Sequence, residues 1–269
     1  VISALLFAAT AALAAPSDFD AFFDEFSRKR ENITALQAEY TEKSITPDET
    51  FISEGALLFT QPRRIVRRTF YPYDATVVID GTEAVEYEPE VRQAVLSDLS
   101  QVREADILFF GFERDTKKLR ENYDVKLFEI KDNPLGKNGL EIRPKEGDAQ
   151  PPFKSVTLYL ADDTLLPYRI HVIFDEESEL QVDMGDYTVN APLTAEQTQV
   201  KLAEGTKLIQ NDKVLETVGA EGKWLPEKPA AGALPIGAAP PAKPAEEAGL
   251  VEVKTLDEPA APAETPAAP

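Results

Sequence analysis

Two hydrophobic periods divide this chain. Over residues 18–36, Phe19, Phe22, Phe23, Phe26, Ile33 and Leu36 largely recur at three- and four-residue spacing. This predicts a helix, N-capped by Ser17 or Asp18, with one aromatic face that another element must cover. Beyond it the period falls towards two, and residues 37–46, 51–60, 64–71, 75–80 and 82–87 read as strands. Within VVIDGTEAVEY, Asp80-Gly81 supplies the tight turn of a hairpin. Residues from about 91 read as a second helix, and residues 105–112 concentrate Ile107, Leu108, Phe109, Phe110 and Phe112. RDTKKLREN continues as a short helix or turn. Strands resume at 123–130, 139–143, 153–161, 165–174 and 179–187, with a last short pair at 200–202 and 206–209. With roughly ten to twelve strands, two or three helices and no βαβ alternation, the pattern predicts a mainly β (α+β) fold with consecutive antiparallel pairing.

The later strands carry the clearest alternation. Tyr168, Ile170, Val172 and Phe174 share one face, with Arg169 and His171 opposite; Leu180, Val182 and Met184 alternate with Gln181 and Asp183. One side of this sheet is apolar and the other wet. Periodicity alone fits a filled core as well as a cavity, and a filled core is the commoner outcome.

Both ends fall outside this pattern. VISALLFAATAALA, residues 1–14, reads as the hydrophobic region and small-residue cleavage site of a secretory signal peptide cut after about Ala14. No Cys follows, so no lipid anchor is expected on the mature chain. From about Pro226 the composition turns to Pro and Ala, which cannot bury enough apolar surface to order itself. Residues 226–269 are expected to be a disordered tether, leaving 15–225 as one domain. The chain carries 28 Lys and Arg against 48 Asp and Glu, a formal charge of −20. That field disfavours nucleic acid and anionic membrane surfaces.

Catalytic chemistry is poorly represented. The absence of Cys removes thiol catalysis and thiolate metal sites. The single histidine, His171, lies on a polar strand face with no sequence companion, and acidic pairs such as Asp162-Asp163 and Glu176-Glu177 fall where turns are expected. No Gly-rich phosphate loop or His-x-x-x-His spacing occurs, so no enzyme, no catalytic residue, no metal and no cofactor is expected. One cluster stands out: Arg63, Arg64, Arg67 and Arg68 surround a strand start. It fits local salt bridges, or a docking patch for an anionic head group or acidic membrane partner. Arg64 and Arg68 share a face with Val66 and Phe70, and Arg67 lies opposite with Ile65.

The segment SEGALLFTQPRRIVRRTFYPYDATVVIDGTEAVEYEPEVRQA places a Gly-bearing strand (Gly55), a Pro turn (Pro62), Pro72, the Asp-Gly hairpin, and Tyr87 with Pro89 in fixed order, and LAEGTKLI closes the domain. In this order, after an amphipathic helix, the chain resembles the periplasmic lipoprotein carriers of the LolA type. The resemblance implies an open antiparallel β-barrel of about eleven strands with a helical lid over an apolar cavity. It further implies a periplasmic carrier that takes lipoprotein acyl chains from an inner-membrane transporter to an outer-membrane receptor, without covalent chemistry. Carried over by position, the cavity wall is expected at Leu57, Phe59, Ile65, Tyr168, Ile170, Val172 and Phe174, and the lid at Phe22, Phe26, Ile107, Phe109 and Phe110. The partners are then acylated lipoproteins, and a monomer is expected; the alternative is a lipid- or lipoprotein-sensing module built on the same barrel. Two features depart from the family pattern. Gln61 stands where a basic residue usually precedes the proline and holds the lid, and Ile65 and Arg67 replace aromatics on the next strand.

Overall fold

A thirteen-stranded sheet dominates the molecule, and among the described residues its two edges do not meet. The computed structural model describes residues 18–100, 102, 107–112, 116–147 and 151–226, all within one compact unit. The expected signal peptide and the tail beyond residue 226 lie outside the described residues. In chain order the strands are β1 Ala35–Ile45, β2 Thr50–Thr60, β3 Arg64–Tyr71, β4 Ala75–Asp80, β5 Glu83–Glu88, β6 Gln93–Asp98, β7 Tyr123–Glu129 and β8 Asn138–Pro144. There follow β9 Ser155–Leu160, β10 Pro167–Ile173, β11 Glu179–Val189, β12 Val200–Leu202, β13 Lys207–Gln210, β14 Lys213–Thr217 and β15 Lys223–Leu225. The helices are α1 Asp18–Arg30, α2 Ile107–Phe110, α3 Thr116–Asn122 and α4 Ala195–Thr198.

Across the large sheet the order is β14-β13-β6-β5-β4-β3-β2-β1-β11-β10-β9-β8-β7, and β12 pairs separately with β15. The long run from β6 to β7 is antiparallel throughout. Ile79 of β4 and Tyr123 of the far edge strand β7 belong to one apolar cluster with the helices. A sheet brings strands so distant in its order around one cluster by curling, so the fold is an open barrel-like sheet with few helices.

Several local expectations are corrected. The first helix stops at Arg30, not Leu36, because Leu36 enters β1 and is fully buried there. Arg28, Lys29 and Arg30 close the helix where its carbonyl end favours cations. The helix expected from about residue 91 is instead a turn followed by β6. Arg92 adopts φ +53, and Gln93–Leu96 pairs with β5 on one side and, in parallel, with β13 on the other. Sheet pairing on both sides outweighs a weak helical spacing. That parallel pair also departs from purely consecutive antiparallel pairing. The terminal strands do not pair with each other as expected: β12 joins β15, and β13 extends the main sheet. The β4–β5 hairpin forms at Asp80-Gly81, with Gly81 at φ +65.

β2 to β4 each bury apolar side chains on both faces at one end, at Leu58 and Phe59, Ile65 and Val66, and Val78 and Ile79. On the face away from α1 and α2, Leu58, Val66, Val78 and Val85 pack under Val200, Leu202, Leu208, Val218 and Leu225. Arg68 fixes this cover by donating to the carbonyls of Glu196 (2.6 Å) and Gln199 (3.2 Å).

Asn190 joins the end of β11 to the passage from α1 into β1. It adopts φ +55, its Oδ1 accepts from the Thr34 amide (2.8 Å) and hydroxyl (3.1 Å) and the Ala35 amide (3.1 Å), and its Nδ2 donates to Asn32 O (2.7 Å). Asn tolerates the left-handed region better than most residues. Asn190→Ala should therefore lower unfolding free energy by about 2 kcal/mol in urea titrations, with an unchanged m-value.

Candidate functional site

The inner face of the curled sheet has a covered half and a partly open half. Over the covered half lie α1 and residues 107–112. Phe23 and Phe26 of α1 are buried, and Phe22 is half-buried at the rim with its ring 5.7 Å from Phe23 and 6.0 Å from Phe26. Ile107, Phe109, Phe110 and Phe112 are all buried. Phe112 stacks on Phe59 of β2 at 5.2 Å; Phe110 meets Tyr123 edge-on at 5.0 Å and Phe153 at 5.9 Å; the Arg63 guanidinium lies 4.2 Å over Phe109. A four-residue helix has no intrinsic stability in water, so α2 exists because Ile107, Phe109 and Phe110 are buried, at about 2 kcal/mol each.

Arg30 ties this cover to the wall. Its side chain is only 1% exposed, and Nη2 donates to Gly111 O (2.9 Å) and Leu165 O (2.8 Å) while the guanidinium stacks 3.5 Å over Phe26. Nε and Nη1 have no hydrogen-bond partner among the described residues. Burial pushes the guanidinium pKa well down, a sign of how poorly the site solvates charge. Beside it is a crevice of about 10 Å³, lined by Arg30, Ile33, Leu36, Phe59, Gln61, Phe112 and Leu166. That space suits about one water molecule, not a hydrocarbon chain. Gln61, at the family's basic position, donates to Ile33 O (3.3 Å) and so joins the chain entering β1. In this chain guanidinium contacts to residues 107–112 come from Arg30 of α1 and from Arg63.

The other half of the inner face is less covered. Leu57 of β2, Val77 of β4, Leu180 and Val182 of β11, and Phe174 are half-buried apolar residues flanking the core. In their midst is a charged network. Register sets Arg67 between Leu57 and Val77, with Glu42 opposite Ser53 on one side and Val182 on the other. Arg67 Nε donates to the Tyr40 hydroxyl (2.9 Å), which also shares a 2.8 Å hydrogen bond with Thr69; Nη2 donates to Glu42 Oε1 (2.9 Å) and Ser53 Oγ (3.4 Å). Burial lowers the Arg67 pKa, but Glu42 and Tyr40 more than offset it and hold it above the ordinary value. Gly55 makes room for the network: a Cβ there would lie 2.8 Å from the Tyr40 ring and 2.0 Å from Arg68 O.

The structure distributes the expected site residues unevenly. Phe59, Ile65, Ile170 and Val172 lie in the buried inner core, Leu57 and Phe174 at its half-buried margin, and Phe26, Ile107, Phe109 and Phe110 in the cover. Tyr168 is different. A register shift between Pro167 and Arg169 puts it on the outer side, against Tyr159 at 6.1 Å, so strict alternation fails at this bulge. The four arginines do not form one patch. Arg63 covers Phe109, Arg64 is buried 3.7 Å from Asp80, Arg67 faces inward, and Arg68 holds the carbonyls of Glu196 and Gln199. His171 does have a companion, Glu179, at 3.0 Å. Arg30, Glu42 and Tyr40 were not singled out by sequence: a basic residue at a helix end and a Glu within a strand look solvent-facing until the chain folds.

An open curled sheet, helices across its inner face and a partly exposed apolar margin define a binding fold of the carrier class. The chain belongs to the family described as outer membrane lipoprotein carrier protein LolA, whose model matches residues 31–201. No curated protein matched it in sequence. Among solved structures it is similar to an uncharacterized conserved protein from Thermus thermophilus (16% identity, 70% of this chain and 98% of that one, TM-score 0.45). It is similar also to a LolA superfamily protein from Nitrosomonas europaea (12%, 62% and 93%, 0.33) and to the lipoprotein LppX of Mycobacterium tuberculosis (8%, 66% and 100%, 0.38). At such distances these are likenesses only.

If Arg30 is what fastens the cover, Arg30→Met should keep the fold while raising amide hydrogen exchange across residues 107–112 by about tenfold or more. Unchanged exchange there, with the sheet equally protected, would show the contact to be dispensable.

Proposed function

We propose that this protein is an exported, periplasmic carrier that binds the acyl chains of lipoproteins and moves them from the inner to the outer membrane. The observation that carries the reading is the division of the inner face: an apolar margin left half-exposed, continuous with a core closed by a short segment that has no stability of its own. Displacing residues 107–112 lets acyl chains extend from the margin into the space now filled by Phe109, Phe110 and Phe112. Each methylene withdrawn from water contributes about 0.8 kcal/mol, so a lipid-bearing protein needs such a shield to cross an aqueous compartment. Release is built in, because the segment's own aromatics refill the wall as the chains leave. The stored form is thus self-plugged, and cargo competes with Phe side chains for one surface.

Leu57, Phe59, Ile65, Ile170, Val172 and Phe174 form the acyl wall in this reading, and Phe22, Phe26, Ile107, Phe109 and Phe110 the lid, with Arg30 its fastening. The partners are acylated lipoproteins, an inner-membrane lipoprotein-releasing transporter and an outer-membrane receptor. Binding and release involve no covalent step. The family's description as lipoprotein carriers supports this assignment.

Native mass spectrometry of the full chain purified from its own periplasm should reveal a co-purified lipidated polypeptide. Lipid without polypeptide would redirect the reading to a lipid-transfer protein. Leu57→Gln combined with Val77→Gln, both at half-buried positions, should reduce retained cargo about tenfold while leaving the melting temperature within a few degrees. Undiminished cargo would remove these positions from the acyl wall.

A further inference from the structure

The inner wall contains a charge pair that an acyl shield does not need. We propose that Arg67 and Glu42 recognise the neutral carbonyl group, ester or amide, at the polar junction of an acylated ligand. The inference rests on the carrier reading and adds to it a chemical preference within the same site.

Position comes first. Arg67 lies in register between Leu57 and Val77, and Glu42 lies beside Val182, so the pair is embedded in the half-exposed apolar margin. A hydrocarbon chain laid along this wall would press on it. Exposure comes second. The Arg67 side chain is 28% exposed and that of Glu42 13%, so an arriving group meets mainly guanidinium. Donor count comes third. Nε is committed to Tyr40, and Nη2 to Glu42 and Ser53. Nη1 has no partner among the described residues, which leaves free N–H donors at the wall.

The charge balance then selects the ligand. Glu42 at 2.9 Å neutralises Arg67, so an incoming anion gains little from the pair and is repelled by the carboxylate. A bare hydrocarbon would strip water from Nη1 and give nothing back. A carbonyl oxygen accepts from Nη1 without bringing a charge. Acyl chains joined to their carrier by esters or amides present this group where the hydrocarbon begins, and an ionised free fatty acid does not.

Two fluorescent probes with one polyene chain separate these cases at pH 8: methyl cis-parinarate, an ester, and cis-parinaric acid, a carboxylate. The full chain should bind the ester more tightly. Glu42→Gln, nearly isosteric, leaves Arg67 positive and removes the carboxylate that repels an anion, so it should tighten binding of the acid about tenfold and narrow the preference for the ester. Arg67→Met with Glu42→Met removes the pair and should weaken the ester about fivefold, the loss expected for one hydrogen bond. Acid affinity unchanged by Glu42→Gln would overturn the inference even if the double variant failed to fold. So would undiminished ester affinity in a folded double variant. If the unaltered chain binds neither probe, the acyl-carrier reading itself fails; if it binds both and the variants shift neither, only the role of Arg67 and Glu42 does.

Discussion

Burial of an aromatic stripe against a curled sheet is the constraint on which this structure depends. The inner faces of β1 to β4 and β7 to β11 present more apolar surface than a strand face can leave in water. Neither α1 nor the short α2 would persist without that surface. Phe23, Phe26, Phe110 and Phe112 satisfy both requirements at once, so cover and wall are mutually dependent. Arg30 adds direction to this otherwise non-directional contact. Its two carbonyl acceptors, at Gly111 and Leu165, lie on opposite sides of the seam and hold the cover in one place.

The second face of the sheet is closed independently of the first. Leu58, Val66, Val78 and Val85 are sealed under the C-terminal strands, and Arg68 fastens that seal. Much of this cover, from Lys207 to Leu225, lies beyond the family-matched segment. A sheet braced from behind can lose contacts in front without losing its register. In the proposed carrier cycle, stability and exchange fall on different faces of the same strands.

The inner wall is also chemically graded. Towards α1 and residues 107–112 it is mainly apolar, with Arg30, Arg63 and Gln61 against its aromatics; towards the other half it holds Arg67, Glu42, Tyr40, Ser53 and Thr69 in one hydrogen-bonded group. The gradient matches an amphiphile better than an alkane. Tyr40 links the two regions, since its ring belongs to the apolar core and its hydroxyl to the polar group.

The strands with strict alternation, the aromatic face of the first helix and the Asp80-Gly81 hairpin were legible in the chain alone, because each follows from contacts a few residues apart. The ordered motifs from Gly55 to Pro89 were likewise enough to identify the family. That Gln93–Leu96 is a strand was not legible, since it depends on partners in β5 and in β13, more than a hundred residues later. Nor was the outward placement of Tyr168, because one bulge reverses a face without altering composition. It took the folded arrangement to separate the four arginines and to join Arg30 to Gly111 and Arg67 to Glu42. A charged side chain's role depends on what lies within a few ångströms, and long-range packing sets those neighbours.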